Sequence, residues 1–246
     1  MIKSTLLFLL IVLHTNAGNI PAPENNDSQD RFKLNTFYKT SMNSTAIFKA
    51  DYFKASKERT EKSYQLEYRY RLKNYLKVGG YIKYLIGKRY DNDWVKSGTW
   101  HWQDTSSRDE YLLGLNANFR YLAKNIRHLI LDLRITNEHN LRNSENHFIL
   151  RPGFTKIFLH KSRPVINYFL QYELILPTNY SEEAVSESWI YTGFLWHLNN
   201  KIKPGIFYQK GVGSWSSSKD FKDNVNSKYS IDHKYSVYGV SLNLYF

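Results

Sequence analysis

The sequence predicts an all-β chain closed into a transmembrane, antiparallel up-and-down barrel. Three observations predict it. Most of the chain is a succession of segments in which apolar and polar residues alternate with period two. The connections between those segments alternate between short and long, as in an outer-membrane barrel. No segment after the first residues approaches the roughly 20 apolar residues of a spanning helix.

The chain opens "MIKSTLLFLLIVLHTNAG". Lys3, the short apolar run Leu6–Leu13 and the small residue Ala17 predict a secretory signal over 1–17, cleaved after Ala17. Residues 18–30, "GNIPAPENNDSQD", are rich in Pro, Asn and Asp. They read as a periplasmic tail or as a first strand. The barrel is expected over 31–246.

Period-two segments lie near 31–40, 45–54, 61–72, 76–89, 108–121, 126–136, 145–158, 164–176, 187–198, 201–210 and 234–246. In "SYQLEYRYRLK" (63–73), one face carries Tyr64, Leu66, Tyr68, Tyr70 and Leu72, and the other Gln65, Glu67, Arg69 and Arg71. Opposed residues of a hairpin share a face. Across the turn 73–75, Arg71 falls opposite Lys77, Arg69 opposite Gly79 and Gln65 opposite Lys83. Across the turn at 122–125, Asn118 and Asn116 face the strand of Asp132 and Arg134. Leu112, Ile130, Ile149 and Phe169 interrupt the polar face.

The chain ends "YSVYGVSLNLYF", with apolar residues at alternating positions before Phe246. This resembles the C-terminal signal that the barrel assembly machinery reads in Gram-negative outer membranes. The resemblance implies an outer-membrane location and a periplasmic C-terminus. The Tyr/Leu face would then meet lipid and the charged face would line a lumen. Single-chain bacterial barrels use even strand numbers. The 11 segments therefore predict 12 strands with one hidden in 18–30, or 10 if 31–44 stays periplasmic.

Lys and Arg number 34 against 22 Asp and Glu, and there is no cysteine. A basic excess points to anionic partners, and a secretory signal sets nucleic acid aside. Without cysteine there is no disulfide framework and no thiolate metal site. No cofactor is expected. The pore-lining residues expected from the alternation are Arg69, Arg71, Lys83, Arg134 and Arg151, with Glu67 and Asp132 among the acids. Lys83, Arg134 and Arg151 each lie seven or eight residues from a short turn. That is roughly 16–19 Å above the rim, a mid-lumen belt that would select anions. The alternative is that these bases pair with Glu67, Asp132 and Glu173 and plug a narrow barrel.

The strand spacing, the short turns, the "IKPGIFYQ" strand at 202–209 and the terminal strand together resemble the oligogalacturonate-specific porin family, which includes the sialic-acid porin. The resemblance implies passive diffusion of small anionic solutes, acidic oligosaccharides among them, with inward Lys83, Arg134 and Arg151 contacting the solute. Outer-membrane lipid and lipopolysaccharide would surround such a barrel. Trp94, Trp100, Trp102 and Trp215 fall in the long connections, suited to sugar stacking or to an aromatic girdle.

Two rival functions stand beside the porin. A lipid-modifying enzyme, a phospholipase or a lipid A-modifying protein, needs a histidine that activates a serine. His160 and Ser162 have same-face spacing but sit in a short periplasmic turn. No catalytic or metal-ligating constellation emerges from the other histidines. The third class is a non-conducting barrel that anchors or adheres.

Overall fold

The computed structural model describes residues 26–54, 60–90, 102–104, 109–179, 184–216 and 230–246. The expected signal over 1–17, most of the segment 18–30, and Trp94 and Trp100 lie outside the described residues.

Every regular element described is a strand. They are β1 (Asn26–Lys39), β2 (Ser44–Lys54), β3 (Thr60–Lys73), β4 (Leu76–Tyr90), β5 (Trp102–Asp104), β6 (Glu110–Leu122), β7 (Leu129–Asn140), β8 (Asn146–His160), β9 (Arg163–Pro177), β10 (Glu187–Trp196), β11 (Ile202–Ser216) and β12 (Ser230–Tyr245). Each neighbouring pair in the wall is an antiparallel hairpin step, except one. β1 closes the sheet by pairing parallel to β12 over Asn26↔Lys234 to Phe37↔Tyr245.

Eleven strands of the described residues form the closed wall. β5 only extends the end of β4, pairing Lys88–Tyr90 with Trp102–Asp104. The count is neither 12 nor 10, and the barrel is mixed rather than wholly antiparallel. The reason is topological. In an up-and-down sheet an odd number of strands brings the first and last into the same direction, so one parallel pair must close it. That pair satisfies the two edges as an antiparallel one would. No further strand is hidden in 26–30, because those residues are the start of β1.

The odd count also sets the ends apart. β1 starts at the end of the barrel that carries the long connections. Phe246 lies at the other end, where its N–H donates to Phe37 O at 2.9 Å and its carbonyl accepts from Lys39 N at 3.1 Å. All five short turns, at 40–43, 74–75, 123–128, 161–162 and 197–201, share the Phe246 end.

The register places alternate residues of all wall strands on one of two faces. Across β3/β4, Arg71↔Lys77, Arg69↔Gly79 and Gln65↔Lys83 pair as the sequence predicts. The outer face is apolar and exposed: Leu66 is 59% exposed and Leu115 71%. The inner face is polar and closed: Glu67, Gln209, Thr136, Glu138 and Glu173 are all buried. Among the apolar residues on the inner face, Leu112 is buried.

Three inner glycines, Gly114, Gly211 and Gly239, seat rings rather than leaving space. A Cβ on Gly114 would lie 2.1 Å from the Tyr81 ring, and one on Gly239 would lie 2.1 Å from the Phe207 ring. A Cβ on Gly211 would lie 2.3 Å from Trp189. Each of these three rings thus packs against a glycine of the neighbouring strand, an arrangement that shields glycine backbone in sheets.

Candidate functional site

The inner face of the barrel is the candidate site, built around Glu67. The strand alternation turns Glu67 inward, and its side chain is fully buried. Lys49 Nζ of β2 donates to Glu67 Oε2 at 2.6 Å, and Arg69 Nε of β3 donates to Oε1 at 2.6 Å. Gln65 Nε2 and Asn116 Nδ2 each add a hydrogen bond at 3.1 Å. Arg134 of β7 reaches Oε1 at 3.6 Å past β4 and β6. One carboxylate is therefore held by three cations and two amides. The cluster joins β2 and β3 to β6 and β7.

Three smaller clusters lie on the same inner face. Arg31 of β1 grips Asp51 of β2 through Nε at 2.8 Å and Nη2 at 2.6 Å, and its Nη1 donates to Gln209 at 3.2 Å. Arg151 of β8 pairs with Glu173 of β9, which also accepts from Tyr191 Oη at 2.6 Å. Glu138 of β7 accepts a hydrogen bond from Tyr81 Oη and lies 3.0 Å from His147 Nε2. Paired and hydrogen-bonded charges of this kind are the form in which ions tolerate burial.

The positive charge exceeds the negative in this layer. Arg31, Lys33, Lys49, Arg69, Lys83, Arg134 and Arg151 face inward, against Asp51, Glu67, Glu138 and Glu173. Lys33 and Lys83 have no ion pair among the described residues. The Lys33 Nζ instead lies 4.7 Å from the Phe207 ring centre and 5.8 Å from that of Tyr191. The Nε of Arg134 is buried without a hydrogen-bond partner among the described residues. Arg134 and Arg151 are also direct register partners on β7 and β8. Like charges so placed repel.

Of the residues expected from the sequence, Glu67, Arg69 and Arg134 come together in one cluster, with Arg151 beside it. Lys83 is inward but occupies another row, opposite Gln65 and Leu112. Asp132 sits nearer the short turns, where it accepts from Arg120 Nε at 2.7 Å. Arg71 is exposed at that rim, opposite Lys77.

Sequence reasoning did not single out Arg31, Lys33, Lys49, Asp51, Tyr81, Glu138 and His147. The signal for the first four is in the alternation Arg31–Phe32–Lys33–Leu34 and Phe48–Lys49–Ala50–Asp51. No known protein family, curated protein or solved structure matches the chain.

Proposed function

We propose that this chain is a barrel of the outer-membrane type that sets its apolar face against lipid and passes small anions through a narrow, basic lumen. The observation that carries the reading is the reversed polarity: Glu67 is buried inside while Leu115 is 71% exposed outside. The outward ladder of β6 reads Tyr111, Leu113, Leu115, Ala117, Phe119 and Tyr121. Ten steps of about 3.4 Å at about 45° tilt give roughly 24 Å between the two tyrosines. That matches an apolar band about 25 Å tall flanked by aromatic girdles. A closed wall without free edges is also what hydrocarbon demands of backbone groups.

The anion preference rests on the cationic surplus in the lumen, since basic pore linings favour anions. Acidic sugars are the candidate solutes, since guanidinium groups match carboxylates. The barrel assembly machinery would read Phe246, and lipopolysaccharide and phospholipid would surround the wall. No chemical step is assigned to the protein.

One observation favours a second reading, a barrel that does not conduct. The Glu67 cluster spans the inner face from β2 to β7 and fills that side of the interior with paired charge. Single-channel recording of refolded protein in planar bilayers separates the two. The porin reading expects anion-selective steps, blocked by acidic oligosaccharides and weakened in R134A/R151A. Protein that inserts and never conducts would overturn it in favour of the closed barrel.

A further inference from the structure

We infer that the short-turn rim of the barrel is a binding surface for anionic glycerophospholipids, whose headgroup phosphates it holds. The inference rests on the membrane reading above and adds a lipid preference at one end of the barrel.

The first support is the separation of charge. Lys73, Lys124, Arg127, Lys161, Arg163 and Lys201 are all exposed at this rim. Residues 39–44, 73–76, 122–129, 160–163 and 197–202 contain no Asp or Glu. None of the six bases forms an ion pair among the described residues. The opposite end is mixed, with Asp30, Asp109, Glu110, Glu145 and Glu187 beside Lys54 and Arg142.

The second support is what the bases stand next to. Lys73 Nζ lies 5.9 Å from the centre of the exposed Tyr75 ring. Lys124 and Arg127 flank Ile126, which is 51% exposed, and Leu198 near Lys201 is 69% exposed. Exposed apolar groups interleaved with bases suit the boundary between acyl chains and phosphates, where long side chains reach outward to the polar layer.

The third support is the chemistry of one turn. Lys161 and Ser162 both have positive φ, at 47° and 64°. A two-residue hairpin with φ > 0 at both positions favours Asn-Gly. His160–Lys161–Ser162–Arg163 places charge there instead, at a conformational cost, and backbone strain of this kind accompanies function.

The distribution identifies the occupant. The bases come from four of the five turns, spread around the barrel from β3/β4 to β10/β11. An acidic protein would meet one arc of that rim. A surrounding leaflet of anionic headgroups would meet all of it.

The test uses the full chain reconstituted in phosphatidylcholine vesicles with trace spin-labelled phosphatidylglycerol or spin-labelled phosphatidylcholine. The fraction of each label immobilised at the protein surface gives a relative association constant. A basic residue near an anionic surface contributes about a fivefold factor. Phosphatidylglycerol should therefore be preferred about fivefold, less at high salt. K124Q/R127Q/K161Q/R163Q should lose at least half of that preference, and K124R/R127K/K161R/R163K should keep it. Equal association of both labels with the unaltered protein, or an unchanged preference in the glutamine variant, would overturn the inference while leaving the membrane reading intact. No immobilised lipid of either kind would overturn both.

Discussion

Replacing Glu67 by Gln removes the negative charge shared by Lys49, Arg69 and Arg134 and leaves its surroundings in place. Glutamine is nearly isosteric, so packing is preserved. What changes is the balance of charge: Lys49 and Arg69, each 2.6 Å from the carboxylate, and Arg134, at 3.6 Å, lose their shared counter-ion. The carboxylate is fully enclosed, so water cannot take over its role. Breaking a buried pair by removing one partner costs about 3–5 kcal/mol. Glu67→Gln is expected to lose stability in that range, read from urea unfolding of the refolded barrel by tryptophan fluorescence and circular dichroism. Adding Lys49→Met removes one of the stranded cations and should restore about 1–2 kcal/mol. A loss below about 0.5 kcal/mol, the level of an exposed pair, would refute the idea that Glu67 ties the walls together.

Further outcomes follow from local geometry. Gly87→Ala should cost more than Gly114→Ala in the same unfolding assay. Gly87 has φ 148° and its Cβ would lie 2.1 Å from the Thr60 carbonyl oxygen, whereas Gly114 meets only the end of the Tyr81 ring. The double change Lys161→Asn, Ser162→Gly should stabilise the barrel by about 1–2 kcal/mol, because it relieves two left-handed residues in a tight turn. Tyr81→Phe should lose about 1–3 kcal/mol, since Glu138 then keeps only part of its hydrogen bonding.

The strand pattern was legible to a high degree because sheets have a fixed period of two. Each of the 11 segments read by alternation overlaps one wall strand, and the faces carry the residues expected. The expected 12 or 10 strands give way to eleven in the closed wall for a topological reason. Parity belongs to antiparallel closure, and the β1–β12 pair closes in parallel.

The site was legible in part. Alternation places Glu67, Arg69, Arg134 and Arg151 inward, but no local pattern says that Arg134 reaches Glu67 across β4 and β6. That contact depends on the curvature of the closed wall. Glu138 was missed for a simpler reason: β7 continues to Asn140, beyond the point where the apolar alternation of Leu129, Leu131, Leu133 and Ile135 gives way to polar residues. Backbone pairing with Leu112–Leu115 carries the strand on. The inward glycines could be read as space or as close approach, and the rings of Tyr81, Phe207 and Trp189 decide for close approach.

The central claim is that the exposed apolar face meets lipid. The absence of cysteine allows one to be placed at Leu115, the most exposed aliphatic residue of β6, and another at Asn143 in the β7–β8 turn. Each is labelled with a fluorophore in vesicle-reconstituted protein and exposed to quenchers carried on acyl chains or dissolved in water. Quenching of the Leu115→Cys label by the lipid-borne quencher alone, with the Asn143→Cys label answering to the aqueous one, is the expected result. A Leu115→Cys label as open to the aqueous quencher as the Asn143→Cys label would contradict it.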